Sequence, residues 1–214
     1  MLDDVIKELE MKYTTIYNDP VNRSSISHPW AYWDAAFTDE ELTKVIEYCE
    51  SKDMSYGTTF GDKSQEETEK TRISDVGFHK RNSETKWIFD KCNFILQSAN
   101  EMFFGYNLNG YESFQYTTYD AEKNGNYGWH MDMNLGSRTE DFEPRKLSMT
   151  LLLNDDFEGG NFEIALGDQT HPTVLPAKKG RALLFPSFVL HRVTPITKGI
   201  RRSLVVWCVG PKFT

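Results

Sequence analysis

The chain has 214 residues, a formal net charge of -8, 39% hydrophobic residues and 14% aromatic residues. That is long enough for one substantial core and too aromatic for a disordered chain. It is too acidic for an overall field that draws nucleic acid, and no window approaches the roughly 18 apolar residues of a membrane span. The opening stretch, MLDDVIKELEMKY, places Leu2, Val5, Ile6, Leu9 and Tyr13 at helical spacing. It has neither the basic start nor the apolar run of a secretory signal, so a cytoplasmic location is expected. Next, FTDEELTKVIEYCE predicts a helix with Thr38 as N-cap and Glu41 completing a capping box. Its apolar face is Leu42, Val45, Ile46 and Cys49. The following stretch, SKDMSYGTTFGDKSQEETEK, is polar and patternless, and is either a surface loop or a lid over residues 51–70. A further helix follows Ser83, with Ile88, Cys92, Ile95, Ala99 and Met102 on one face. Cys49, Cys92 and Cys208 lie far apart with no C-x-x-C pair, and read as buried small hydrophobes.

From Tyr111 the grammar changes. ESFQYTTY, NYGWHMDM, KLSMTLLLN, GNFEIAL, PTVLP, RALLFP, FVLHRVT and RRSLVVWCV are short runs rich in aromatic and β-branched residues. Glycine, proline, asparagine and aspartate separate them. NDDFEGGN reads as a hairpin connection. Such spacing predicts an antiparallel sandwich or jelly roll with the helices packed outside it. The expected division is residues 1–110 as helical support and lid region and residues 111–214 as the β-core, in one domain spanning 1–214.

Chemistry concentrates at three places in the β-half. Alternation puts His130 and Asp132 on one strand face with Gly128, which is expected to leave room beside them, and turns Tyr127, Trp129, Met131 and Met133 the other way, where Trp129 and Met131 are expected to pack against neighbouring elements. His191 sits in an apolar run with Val189 and Val193. Arg201 shares a face with Ser203, Val205 and Trp207, where a buried guanidinium needs an anion; Arg202 faces out. Taken singly, the first two have ordinary readings, a solvated strand pair and a core histidine, and Arg202 is an ordinary surface arginine. Together, two imidazoles and a carboxylate with open positions match a non-haem iron(II) ligand set, and Arg201 suits the far carboxylate of a dicarboxylate cofactor. Two histidines and a carboxylate also make catalytic zinc sites, so a zinc-dependent hydrolase stays open, although no H-E-x-x-H is present. A non-catalytic cupin-like module is the third reading. His28, His79 and His171 lack a carboxylate at useful spacing and are read as non-ligands.

The order His130-x-Asp132, His191, Arg201, with RKLSMTLLLND, EGGNFEI and KKGRALLFPSFVLHRVTP, resembles the iron(II)- and 2-oxoglutarate-dependent oxygenases. More narrowly it resembles the prolyl-4-hydroxylase-like branch that includes the PKHD-type hydroxylases. The resemblance covers roughly residues 114–213. It implies a mainly β fold with supporting α, a double-stranded β-helix (jelly roll, cupin-like) core flanked by N-terminal helices. It implies Fe(II) on His130, Asp132 and His191, 2-oxoglutarate with its distal carboxylate on Arg201, and ascorbate as a candidate reductant. Tyr119, and less so Tyr127, match positions of a tyrosine near the cofactor. Where some relatives carry a tyrosine on the SMTLLLN strand this chain has Leu152, so Thr150 and Ser203 are candidates to assist Arg201. The implied reaction takes O2 and hydroxylates a prolyl or other residue of a peptide or protein. The loop 51–70 and NLGSRTEDFEPR are candidate covers for an extended substrate. A free amino acid or other small metabolite is the alternative substrate, and nucleic acid is disfavoured by the charge.

Overall fold

A computed structural model describes residues 28–59, 64–133 and 142–212. The expected first helix therefore lies outside the described residues, as do residues 134–141, which make up most of NLGSRTEDFEPR. Among the described residues three helices precede the β-half: α1 (Asp39–Glu50), α2 (Gln65–Glu69) and α3 (Lys86–Ala99). α1 begins as expected. Thr38 Oγ1 accepts from Glu41 N–H, and the Glu41 carboxylate accepts from Thr38 N–H at 2.8 Å. Four of the five apolar positions foreseen for α3 are buried, but Met102 is 57% exposed. The helix passes into a π-helical turn at Asn100–Phe104. That wider turn shifts the phase, so a residue three beyond Ala99 no longer falls on the buried face. The stretch 51–70 is not patternless: it contains β2 (Ser55–Tyr56) and α2, whose N-cap Ser64 forms a second capping box with Glu67.

Among the described residues the strands form two facing antiparallel sheets and one small pair. The larger sheet has the order β1 (Ala31–Trp33), β11 (Ala182–Pro186), β7 (Arg145–Leu152), β14 (Ile200–Val209), β5 (Ser113–Asp120), β4 (Asp75–Lys80), β2. The smaller has β10 (Thr173–Val174), β9 (Phe162–Ala165), β12 (Leu190–Val193), β6 (Asn126–His130), β3 (Arg72–Ile73). β8 (Glu158–Gly159) pairs with β13 (Ile196–Lys198). All eight strand-like runs from Tyr111 onward contain strands, and the fold is mainly β in two layers, of jelly-roll type. The front half contributes β1 to β4 to these same sheets, so residue 110 is not a seam: β4 pairs with β5, and β3 with β6.

NDDFEGGN is not a hairpin. β7 pairs with β11 and β14, while β9 pairs with β10 and β12, so the connection crosses from one sheet to the other. Gly159 and Gly160 take φ of +79° and +63° there, and a Cβ on Gly159 would stand 2.5 Å from Pro195 O. Glycines serve the close approach of two backbones rather than a two-strand turn.

Alternation along the central strands sorts side chains to two destinations. Leu147, Met149 and Leu151 of β7, with Leu204, Val206 and Cys208 of β14, pack under α1 and α3 in the larger apolar cluster. Ser148 and Thr150, with Arg201, Ser203, Val205 and Trp207, face the other way, into a cavity between the sheets. A second apolar cluster, including Phe162, Ile164, Phe185 and Val193, closes the inner end. All three cysteines are buried and unbonded. Among the described residues no helix is long and apolar enough to cross a membrane.

Candidate metal and cofactor site

His130 ends β6, Asp132 lies just past it, and His191 sits on the neighbouring β12 directly opposite His130. Strand pairing brings together groups separated by sixty residues of chain. His130 Nε2 lies 3.8 Å from Asp132 Oδ1, and His191 Nε2 lies 3.6 Å from Asp132 Oδ2. One ligand atom from each of the three lies within 4.8 Å of the others, the only such histidine, cysteine and carboxylate grouping among the described residues.

The protonation states suit a cation. His130 Nδ1 is 2.8 Å from Gly128 O, and His191 Nδ1 is 2.9 Å from Val189 O. A carbonyl only accepts, so each Nδ1 carries a proton and each Nε2 is the ring nitrogen turned toward Asp132. Burial, reinforced by the facing His191, pushes the His130 pKa down to about 3. Burial alone would raise the Asp132 carboxyl. The facing His191 and His130, with Ser148 and the indole N–H side of Trp207, outweigh it and hold the group below its usual value. Ser148 Oγ is 2.7 Å from Asp132 Oδ2 and 2.9 Å from Ser187 Oγ. An ionised carboxylate cannot donate, so Ser148 donates to Asp132 and Ser187 donates to Ser148. This relay escaped sequence reasoning; its one trace is the serine at the alternating position of KLSMT.

Three expectations about the H-x-D strand fail. Tyr127 does not face away: its ring stacks on His130 with centroids 3.5 Å apart, and it lines the cavity. Across β6 and β12 the register runs His191 to His130 but Val193 to Tyr127, so β6 carries one extra residue. That bulge breaks the alternation and returns Tyr127 to the side of His130. Gly128 does not leave space beside the metal ligands. Its missing side chain lies against Thr71 O, where a Cβ would stand at 3.2 Å. On the outside, Trp129 is covered by the Arg192 guanidinium at 4.6 Å, but Met131 is 48% exposed rather than packed.

Arg201 and Tyr119 are cross-strand partners on β14 and β5, and both line the cavity. Arg201 is 2% exposed, with its Cζ 5.7 Å from the Tyr119 ring centroid. Its Nη1 donates to Ser203 Oγ at 3.3 Å, but Nε has no partner among the described residues. Burial lowers its pKa, the mark of a cation without an anion. Thr150 lines the same cavity, and Leu152 stands opposite Ser203 without a hydroxyl. Arg202, on the outer face, is paired with Glu50 at 2.8 Å rather than bare. The other histidines lie elsewhere. His28 meets Phe103 edge-on, His79 is buried between Tyr48 and Phe114, and His171 bonds Asp168 in an exposed turn. The donor set fits a divalent ion, and the orphaned guanidinium fits the far end of a dicarboxylate in the same cavity.

Comparison with known proteins agrees with this geometry. Residues 114–209 match the family model described as the 2OG-Fe(II) oxygenase superfamily. A PKHD-type hydroxylase of Synechococcus sp. is 42% identical over 90 residues, 41% of this chain and 38% of the relative. One of Aliarcobacter butzleri is 38% identical over 93 residues, 40% of this chain and 39% of the relative. The chain thus spans less than half the length of the curated relatives it matches. Among solved structures, a Pseudomonas putida prolyl-4-hydroxylase superposes with a TM-score of 0.62 at 18% identity, covering 87% of this chain and 95% of that one. A prolyl hydroxylase from Trichoplax adhaerens, in complex with a hypoxia inducible factor peptide fragment, gives 0.69 at 16% identity, covering 86% and 84%. At those identities the structural likeness concerns the fold, whereas the sequence matches and the His-Asp-His grouping concern the family. Over residues 114–209, less than half of its length, the chain is thus similar to the 2OG-Fe(II) oxygenase superfamily.

Proposed function

We propose that this chain is an Fe(II)- and 2-oxoglutarate-dependent hydroxylase, one domain over residues 1–214, acting on a prolyl or other residue of a peptide or protein. The observation that carries the reading is Arg201, a buried guanidinium with an unpartnered Nε in the cavity that holds the His130, Asp132 and His191 grouping. A zinc hydrolase calls for a general base beside its metal, and among the described residues no glutamate lines this cavity. In this reading His130, Asp132 and His191 ligate the metal, and Arg201 binds the distal carboxylate of the cofactor with Tyr119 beside it. When bound, iron and 2-oxoglutarate supply the oxidising power: O2, 2-oxoglutarate and a substrate C–H give succinate, CO2 and C–OH. The protein's own part is orientation and electrostatics. Backbone carbonyls fix both imidazole tautomers, and the serine relay holds Asp132 ionised. Phe162, Phe185 and Val193 keep the inner wall dry. The peptide preference is supported by the names of the relatives, PKHD-type and prolyl hydroxylases, one of them with a peptide bound.

The test is anaerobic reconstitution with Fe(II) followed by 2-oxoglutarate. A visible metal-to-ligand charge-transfer band is expected, and Arg201→Ala weakens 2-oxoglutarate binding about tenfold or more. Tight zinc retention with no band refutes the reading. Succinate release and a gain of one oxygen in product mass, read across peptides and free amino acids, then choose the substrate. Turnover with free amino acids only would reject the peptide half of the proposal.

A further inference from the structure

The cavity holds a second cation that the metal and cofactor reading does not use. Arg72, on β3, is 5% exposed and lines the cavity. Its guanidinium is fixed from several sides. Nε donates to Ser74 Oγ at 2.7 Å, Nη1 donates to Thr58 O at 3.0 Å, and Cζ lies 4.6 Å from the Tyr127 ring centroid. Gly57 permits this approach, since a Cβ there would stand 2.7 Å from Arg72 Nε and 2.5 Å from Ser74 Oγ. All of these partners are neutral. Among the described residues Arg81, Arg181, Arg192 and Arg202 are ion-paired; Arg72 is not. A buried cation held rigidly among neutral dipoles is costly unless an anion arrives. Asp132 cannot serve, because it faces the two imidazoles and Ser148. The far carboxylate of the cofactor is matched by Arg201.

A second observation points to the same place. Thr59 Oγ1 is shut off from solvent without a hydrogen-bond partner among the described residues, and Thr59 lines the cavity with Arg72. At the rim, Phe78 is 60% exposed, an apolar surface beside the charge. Three arginines and one carboxylate line this cavity in a chain whose net charge is -8. The cationic character is local and built, not a property of the whole surface.

We infer that the substrate brings a carboxylate to Arg72 and Thr59. The inference rests on the oxygenase reading of the same cavity and specifies its substrate class: an acidic side chain beside the hydroxylated residue, or the α-carboxylate of a free amino acid or chain end. A guanidinium with Nε and Nη1 already fixed presents its remaining N–H groups in one orientation, which suits a carboxylate over a carbonyl.

The test uses matched probes on protein loaded with Mn(II) and 2-oxoglutarate, read by titration calorimetry so that no turnover is needed. The probes are a blocked tetrapeptide with glutamate before proline, its glutamine twin, N-acetylproline, and N-acetylproline methylamide. At least one carboxylate probe is expected to bind about tenfold or more tighter than its neutral twin. Arg72→Gln erases that difference, Arg72→Lys keeps part of it, and Thr59→Val reduces it. Preference for the glutamate peptide assigns a peptide side chain as the source; preference for N-acetylproline assigns a free carboxylate. A purely structural Arg72 would weaken charged and neutral probes alike. Equal binding of the twins, no binding of any probe, or a preference that survives Arg72→Gln overturns the inference. If Arg72→Gln does not fold, the wild-type preference with Arg72→Lys and Thr59→Val decides. The wild-type charge-transfer band is recorded separately. Its absence refutes the oxygenase reading, whereas a normal band without carboxylate selectivity refutes only this inference.

Discussion

At the scale of single residues, the metal grouping depends on side chains that never touch the cation. Ser148 is fully buried, and its hydroxyl is committed between Ser187 and Asp132. Ser148→Ala leaves one Asp132 oxygen short of a donor and Ser187 short of an acceptor. Partners of this kind are worth about 10 to 100-fold in metal affinity. A metal titration of the variant is expected to show a loss in that range with the fold intact; unchanged affinity would mean that the relay does not position Asp132. His130, Asp132, His191 and Arg201 were legible in the sequence because residue type, order and spacing coincided. Arg72 was not. It lies on a two-residue strand, too short to display a period, and its burial comes from Gly57 and Tyr127, distant in sequence. Arg145, the third arginine that lines the cavity, was hidden differently. The register of β7 against β14 runs from Leu147 with Cys208 to Arg145 with Val209, and this bulge removes Arg145 from the alternation that governs Leu147, Met149 and Leu151.

Elements show the same division between local and non-local causes. The start of α1 was readable because a capping box is a four-residue device. It also carries a pH-dependent contribution. Burial would raise the Glu41 pKa, but Lys91 at 2.6 Å and the Thr38 N–H outweigh it, so the folded value is lowered. A depressed carboxylate contributes stability that is fully present above its unfolded value of 4.5 and is lost as pH falls through the folded value. Glu41→Gln preserves the cap and removes the charge. It is expected to cost about 0.3–1 kcal/mol at pH 7, with the wild-type and variant denaturation curves converging in acid. A gap that persists below the folded pKa would assign the effect to the cap instead. Thr38→Ala removes the Oγ1 acceptor itself and is expected to cost about 1 kcal/mol across the range. The strands from Tyr111 onward were readable too, but their partners were not. NDDFEGGN has the composition of a hairpin, and only the pairing of β7 and β9 with other strands shows that it crosses between sheets. Tyr127 was misplaced for the same reason, since a bulge is defined by the partner strand and not by its own residues.

For the molecule as a whole, the site is where the two sheets meet. His130 and His191 come from the smaller sheet, while Arg201, Tyr119 and the serine that holds Asp132 come from the larger one. A cation bound between them links the two layers, so metal binding and global stability are thermodynamically coupled. A divalent ion at about 100 times its Kd adds about 2.7 kcal/mol to the folded state. For a domain of this size that corresponds to a rise in Tm of about 5–10 °C, reversed by a chelator. Asp132→Asn removes the charge that faces both imidazoles, so its Tm is expected to be insensitive to metal. Leu151→Ala, beneath the helices on the opposite face of β7, is expected to lose about 2–5 kcal/mol while keeping the metal-induced rise. Calorimetric melts of the three proteins, with and without metal, separate the two contributions. A metal-induced rise that persists in Asp132→Asn would place the ion away from the His130, Asp132 and His191 grouping, because no other part of the described cavity offers it a carboxylate.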